Sequence, residues 1–246
     1  ARLRKYGDLS EKYPTLCGNR SGGPPAFCTY TPEGERYLRE SVRELFRAVP
    51  KLGGIMDITF GERVTSCANA FTDARGVFHN DCPHCGHLSR AEIVSHTTKL
   101  MNDEMKAQNK DAEFIGWGYG FRALTDGEIG EFFRTLPPDV SELVNFEDNG
   151  RVLQLGKVRY AFDYYLCYPG PSEMFETAAN AAKTYKKRLY MKTQLCSSHE
   201  LATVPYLPVP GIVYDKLTRA KKLGVTGVME SWFFGNYPCL MSRAAG

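Results

Sequence analysis

From residue 54 onward, short apolar runs alternate with longer patterns of helical period, and few folds tolerate that order. The runs at 54–60, 113–117, 141–146, 188–194 and 225–232 have strand length and are rich in β-branched and aromatic residues. Between them lie helix patterns or long crossovers, which call for parallel pairing. Thr31-Pro-Glu-Gly34 opens a helix whose apolar positions are Tyr37, Leu38, Val42, Leu45, Phe46 and Val49, ended by Pro50. Ser89-Arg-Ala-Glu92 has the form of a capping box and starts a helix running to about Gln108. Further helices are expected over 125–136, 171–187 and 211–223. After the turn signal Asp148-Asn-Gly150, the alternation in 152–165 reads as a hairpin or an excursion from the main alternation. Residues 1–32, with Ser21-Gly-Gly-Pro-Pro25, read as an irregular surface segment.

Each expected strand finishes beside polar or aromatic residues: Glu62, Trp117 and Tyr119, Glu147, Gln194 to Glu200, then Glu230 and Trp232. Barrels of eight βα units build their active sites from the loops at the carboxyl ends of their strands. The expected fold is therefore α/β of the (β/α)8 TIM-barrel type, with strands four to eight visible and the first three upstream of this chain. Residues 1–246 are expected to form a single barrel domain, a fragment of a longer chain, with 63–88 as a cysteine-containing loop insertion. At 43% hydrophobic residues, a chain of 246 can bury a full core.

The formal charge of +3 is spread among interspersed charges of both signs, which lacks the footprint of a nucleic-acid binder. The basic clusters Lys186-Lys-Arg188 and Arg219-Ala-Lys-Lys222 fall at helix ends, where cations complement the dipole. No window reaches the roughly 18 apolar residues of a membrane span. No P-loop or GxGxxG occurs, and no second histidine follows His199-Glu200 at metalloprotease spacing, so no organic cofactor is expected.

Two carboxylates flanking a scissile bond are what glycoside hydrolysis requires. Glu62 is expected as general acid/base and Glu200 as nucleophile, with Glu230 the second choice. Trp117, Tyr119, Glu147, Asp163, Gln194, His199, Trp232 and Asn236 supply the aromatic faces and polar groups that suit a sugar. A non-catalytic carbohydrate-binding barrel and an inactive fragment are the alternatives. Eight cysteines in a chain this long do not make a disulfide scaffold. Cys82-Pro-His-Cys85 has the spacing of a zinc knuckle, with Cys67 and Cys28 completing a four-thiolate set and His79, His84 and His87 as alternative ligands. A disulfide and free thiols remain open for the same cysteines. Zinc held by four protein ligands would be structural, whereas a metal-dependent hydrolase would need an open position.

The motifs Cys28-Thr-Tyr-Thr-Pro-Glu-Gly34, Ile58-Thr-Phe-Gly-Glu62, Cys82-Pro-His-Cys85, Gly116-Trp-Gly-Tyr-Gly120, Asp163-Tyr-Tyr-Leu-Cys-Tyr-Pro-Gly-Pro171, Pro205-Tyr-Leu-Pro-Val-Pro210 and Met229-Glu-Ser-Trp-Phe-Phe-Gly-Asn-Tyr-Pro238 carry a resemblance. The chain resembles a group of bacterial glycoside hydrolase-like barrel proteins, distantly similar to the hexosaminidase-type barrels. That resemblance implies a (β/α)8 catalytic domain with Glu62 in the acid/base position, members that begin further upstream, and a carbohydrate substrate. Where the hexosaminidases proper have an adjacent Asp-Glu pair, this chain has Gly61-Glu62, which departs from substrate-assisted hydrolysis of an N-acetyl sugar.

Overall fold

The structure, a computed structural model, describes residues 9–19, 25–59, 66–69, 77–162, 165–196, 206–231 and 238–246. It divides into two compact units, Ala1–Gly116 with Arg134–Val140, and Trp117–Phe133 with Ser141–Gly246. Every expected strand segment contains a strand, and the chain is a mixed α/β protein with parallel pairing.

The first unit holds helix α1 (Leu9–Lys12), helix α2 (Pro32–Ala48), strand β1 (Gly54–Asp57), helix α3 (Arg90–Gln108) and most of strand β2 (Glu113–Trp117). Strands β1 and β2 run parallel, with Gly54 opposite Glu113 and Asp57 opposite Gly116. Helix α3 starts as its sequence requires: the Ser89 hydroxyl accepts from the Glu92 amide, and the Glu92 carboxylate accepts from the Ser89 amide. Val42 and Phe46 of α2 meet Met101 and Met105 of α3 and Phe114 of β2 in one apolar core, with Leu38 and Ile55 packed against it. The buried face of α2 is narrower than its sequence pattern suggests, because Tyr37, Leu45 and Val49 are exposed. β1 also departs from the expected buried strand. Met56 and Ile58 are exposed, while Ile55 packs against the core of α2 and α3.

In the second unit, helix α4 (Asp126–Thr135, of which all but the last two residues belong here) leads to strand β3 (Ser141–Asn145), which is buried along its whole length. Strands β4 (Gly150–Gln154) and β5 (Lys157–Ala161) form the expected hairpin, joined by a two-residue turn. Helix α5 (Glu173–Thr184) is followed by strand β6 (Arg188–Thr193), helix α6 (Pro210–Lys222), strand β7 (Gly227–Glu230) and helix α7 (Leu240–Ala245). β6 pairs in parallel with β3 on one side and β7 on the other, so its backbone is satisfied on both edges. Alanines of α5 and the edge-to-face rings of Phe146 and Phe175 fill the space beside β3 and β6.

Candidate functional site

Among the described residues, two groups of side chains depart from ordinary packing, one in each unit. In the second unit they gather at the carboxyl ends of β3 and β6. Asn145, Glu147, Asp148, Lys192, Thr193 and Gln194 are all fully buried, an expensive concentration of polar groups unless each is compensated. Glu147 is the centre. Its Oε1 accepts from Lys216 Nζ at 2.6 Å, from the Gln194 amide at 3.2 Å and from the Thr193 hydroxyl. Lys216 also donates to the carbonyls of Tyr165 and Gln194, each at 3.2 Å. With both side chains fully buried, the ion pair ties the loop after β3, the end of β6 and helix α6 at one point.

Beside it, the Trp117 indole donates to Asn145 Oδ1 at 2.8 Å, and its ring is 1% exposed. Tyr119 stands edge-on to that ring and is half-buried, so it offers the more accessible aromatic surface of the two. Arg122 reaches both carboxylate oxygens of buried Asp148 at 3.3 Å. Glu230, at the end of β7, is exposed, and partial desolvation holds its carboxyl above the ordinary value. Among the residues expected at the site, the structure thus brings Trp117, Tyr119, Glu147 and Gln194 to the ends of neighbouring strands. Glu62, Glu200, Asp163, His199, Trp232 and Asn236 lie outside the described residues.

Lys216, Asn145 and Thr193 were not anticipated from sequence. A signal for Lys216 was present, because it occupies the apolar face of α6 at the spacing of Val213 and Ala220, where a lysine needs a buried partner.

In the first unit, Cys28, Cys67, Cys82 and Cys85 converge with all four Sγ atoms within 4.8 Å of one another, and all four are buried. Cys82 and Cys28 approach to 3.6 Å, and Cys28 and Cys85 to 4.0 Å. A disulfide would bring its sulfurs to about 2.05 Å, and all eight described cysteines are free thiols. This buried four-cysteine cluster could hold a metal ion. Contacts from the Cys28 and then the Cys67 thiol hold Cys85 down, to about 2, whereas contact with Cys28 and Cys85, together with burial, pushes Cys67 up. His79, His84 and His87, the alternative ligands, are exposed.

Within the segment expected to be irregular surface, residues 11–15 are exposed, whereas Gly18, Asn19 and Cys28 pack onto these thiols. Cys17, Asn19, Ala26 and Cys28 are all buried, and Cys17 bridges antiparallel to Phe27. The reason is local chemistry rather than apolar periodicity: these residues are buried against sulfur.

Asp57, at the end of β1, lines a cavity of about 230 Å³ together with Thr59, Val94, Thr97, Thr98 and Met101. Burial raises its carboxyl to about 6.

No protein-family model matches the chain, and no curated protein does. Its backbone is similar to that of a candidate alpha-L-fucosidase from Bacteroides thetaiotaomicron VPI-5482, with a TM-score of 0.45 and 14% identity over 91% of this chain and 57% of that one. It is also similar to the catalytic domain of a beta-amylase from Paenibacillus polymyxa, with a TM-score of 0.38 and 12% identity over 84% of this chain and 50% of that one. The chain spans between half and three-fifths of the length of these two structures.

Proposed function

We propose that the chain belongs to a glycoside hydrolase of the (β/α)8 type, its parallel strands corresponding to strands four to eight of the barrel. The observation that supports this reading is the buried polar row at the carboxyl ends of β3 and β6, organised by Glu147 and Lys216. Polar groups at strand ends are where such barrels carry out chemistry, and their burial is retained at a cost that packing alone does not require. Within this reading Glu147 is a positioning residue. Its Oε1 accepts from three donors and so fixes the Gln194 backbone and the Thr193 hydroxyl, while its Oε2 is buried without a hydrogen-bond partner among the described residues.

Glu62 is assigned general acid/base catalysis and Glu200 the nucleophilic role, with Glu230 next in order. The raised carboxyl of Glu230 works against the ionised form that a nucleophile needs, which keeps it behind Glu200. Tyr119, Asp163, Gln194, His199, Trp232 and Asn236 are assigned contacts to the sugar, and Trp117 holds Asn145 in place. Zinc enters only as a structural ion at the four thiols, since four protein ligands leave no open position for a reacting water.

Hydrolysis of a panel of aryl glycosides by the wild-type chain and Glu62→Gln tests the assignment. The variant is expected to lose about 10²–10⁴-fold in turnover, the usual contribution of a positioned acid/base group. Unchanged turnover removes Glu62 from the mechanism, and glycan binding without turnover in the wild type favours the non-catalytic alternative.

A further inference from the structure

The four thiols of the first unit have a geometry that distinguishes among their uses. A zinc–sulfur bond of about 2.3 Å gives a regular tetrahedral site sulfur–sulfur edges of about 3.8 Å. The measured separations of 3.6 and 4.0 Å bracket that edge, and the whole set stays within 4.8 Å. The cluster therefore fits one ion. An iron–sulfur cluster, which places several irons and sulfides between its cysteines, requires a wider ring of thiolates.

The surroundings are built as well. The Asn19 amide approaches Cys67 Sγ at 3.4 Å, and Asn80 Nδ2 approaches Cys85 Sγ at 3.7 Å. The same Asn80 side chain accepts from the Cys82 amide at 3.2 Å and from Asn19 Nδ2 at 2.8 Å, and donates to the Cys85 carbonyl at 3.1 Å. One asparagine thus braces the knuckle from inside and couples it to the Cys17–Cys28 segment. Gly18 supplies the space. A Cβ there would lie 2.3 Å from Cys67 Sγ and 2.9 Å from Cys28 Cβ, closer than real Cβ contacts come.

We propose that Cys28, Cys67, Cys82 and Cys85 hold a single zinc ion as a closed tetrathiolate, with Gly18, Asn19 and Asn80 as its outer shell. The ion fastens the Cys17–Cys28 segment to the knuckle loop. Thiolates draw the site toward a soft, tetrahedral divalent ion, and amide donors offset the negative charge of four sulfurs. Cys28 lies 57 residues from Cys85, so the ion closes a long loop. The adjoining helix benefits too: Thr31 caps α2 while donating to the Cys28 carbonyl at 3.2 Å, so the start of α2 is tied to a ligand residue. The proposal rests on the reading of the thiols as a metal site and is independent of glycan hydrolysis.

The full chain, purified without chelator, is expected to contain one zinc per chain by elemental analysis. Cobalt exchanged into it is expected to give the thiolate charge-transfer and tetrahedral ligand-field absorption of four sulfur ligands. Gly18→Ala and Asn80→Ala are expected to weaken zinc binding about 10–100-fold, the usual effect of disturbing an outer shell. Cys167→Ser, which changes an exposed cysteine outside the cluster, leaves the stoichiometry at one. Ligand variants such as Cys28→Ser can fail to fold, so the wild type supplies a second readout. Removing zinc from it with a chelator is expected to raise amide hydrogen exchange across Cys17–Cys28 and the knuckle loop while β3 and β6 keep their protection. Iron in place of zinc, a disulfide joining any two of the four cysteines, or a chain that neither contains nor takes up zinc overturns the metal assignment. Wild-type affinity in both Gly18→Ala and Asn80→Ala overturns the outer shell.

Discussion

Lys216 and Glu147 show how one pair of charges can set the order of a strand end. Both are fully buried, and each also binds backbone, so neither can be removed alone without leaving the other uncompensated. Lys216→Met is expected to cost about 3–5 kcal/mol in urea denaturation, as for other broken buried pairs. The double variant Glu147→Leu with Lys216→Met should recover much of that loss. A single variant as stable as the wild type would mean that the pair does not organise the unit. Asp57 contributes the opposite case, a half-buried carboxyl with no charge partner among the described residues to lower it. Its folded value of about 6 lies above the ordinary 3.8, so the folded chain holds the proton more tightly than the unfolded one. The resulting stability is complete below the lower value and is lost as pH rises through the upper one. Stability should fall by about 2 kcal/mol between those limits, and Asp57→Asn should flatten that slope. A wild-type slope retained in the variant would assign the pH dependence to other groups.

Among the elements, the helix starts were the most legible in sequence, because a cap is a local event. Ser89 and Glu92 form the reciprocal bonds their spacing implies, and Thr31 accepts from the Gly34 amide as an N-cap should. The hairpin was legible from its alternation, but its turn was not. Leu155 sits at φ +50° and is 99% exposed, followed by Gly156 at φ +71°. Those angles favour Asn-Gly, and a leucine there carries the left-handed penalty of about 1–2 kcal/mol. Leu155→Asn is accordingly expected to increase hydrogen-exchange protection of the amides in β4 and β5; decreased protection would show that the leucine makes a contact worth more than the strain. The burial of Cys17, Asn19, Ala26 and Cys28 was not legible, for a physical reason. Burial against thiols leaves no hydrophobic period to detect, and only the spacing of Cys82 and Cys85 pointed to sulfur chemistry. Trp117 was ambiguous in the same way: glycines flank it as they would a binding platform, yet its ring is buried and its N–H bonds Asn145.

At the scale of the molecule, the two units hold different kinds of polar investment. One concentrates thiols where an ion can replace apolar packing as the fastening. The other concentrates carboxylate, amide and ammonium groups at the ends of parallel strands, where polar side chains serve chemistry better than stability. The parallel order of these strands followed from the alternation of short and long apolar patterns, whereas the polar network depends on long-range pairs such as Glu147 with Lys216, 69 residues apart, which no local pattern encodes. The proposed two-carboxylate mechanism assigns the nucleophile to Glu200, and chemical rescue tests that assignment most directly. On an aryl glycoside that the wild type cleaves, Glu200→Ala is expected to lose turnover and to regain it with added azide, releasing a glycosyl azide in place of the free sugar. Wild-type turnover in Glu200→Ala, or a wild-type chain that cleaves none of the glycosides, would contradict the account.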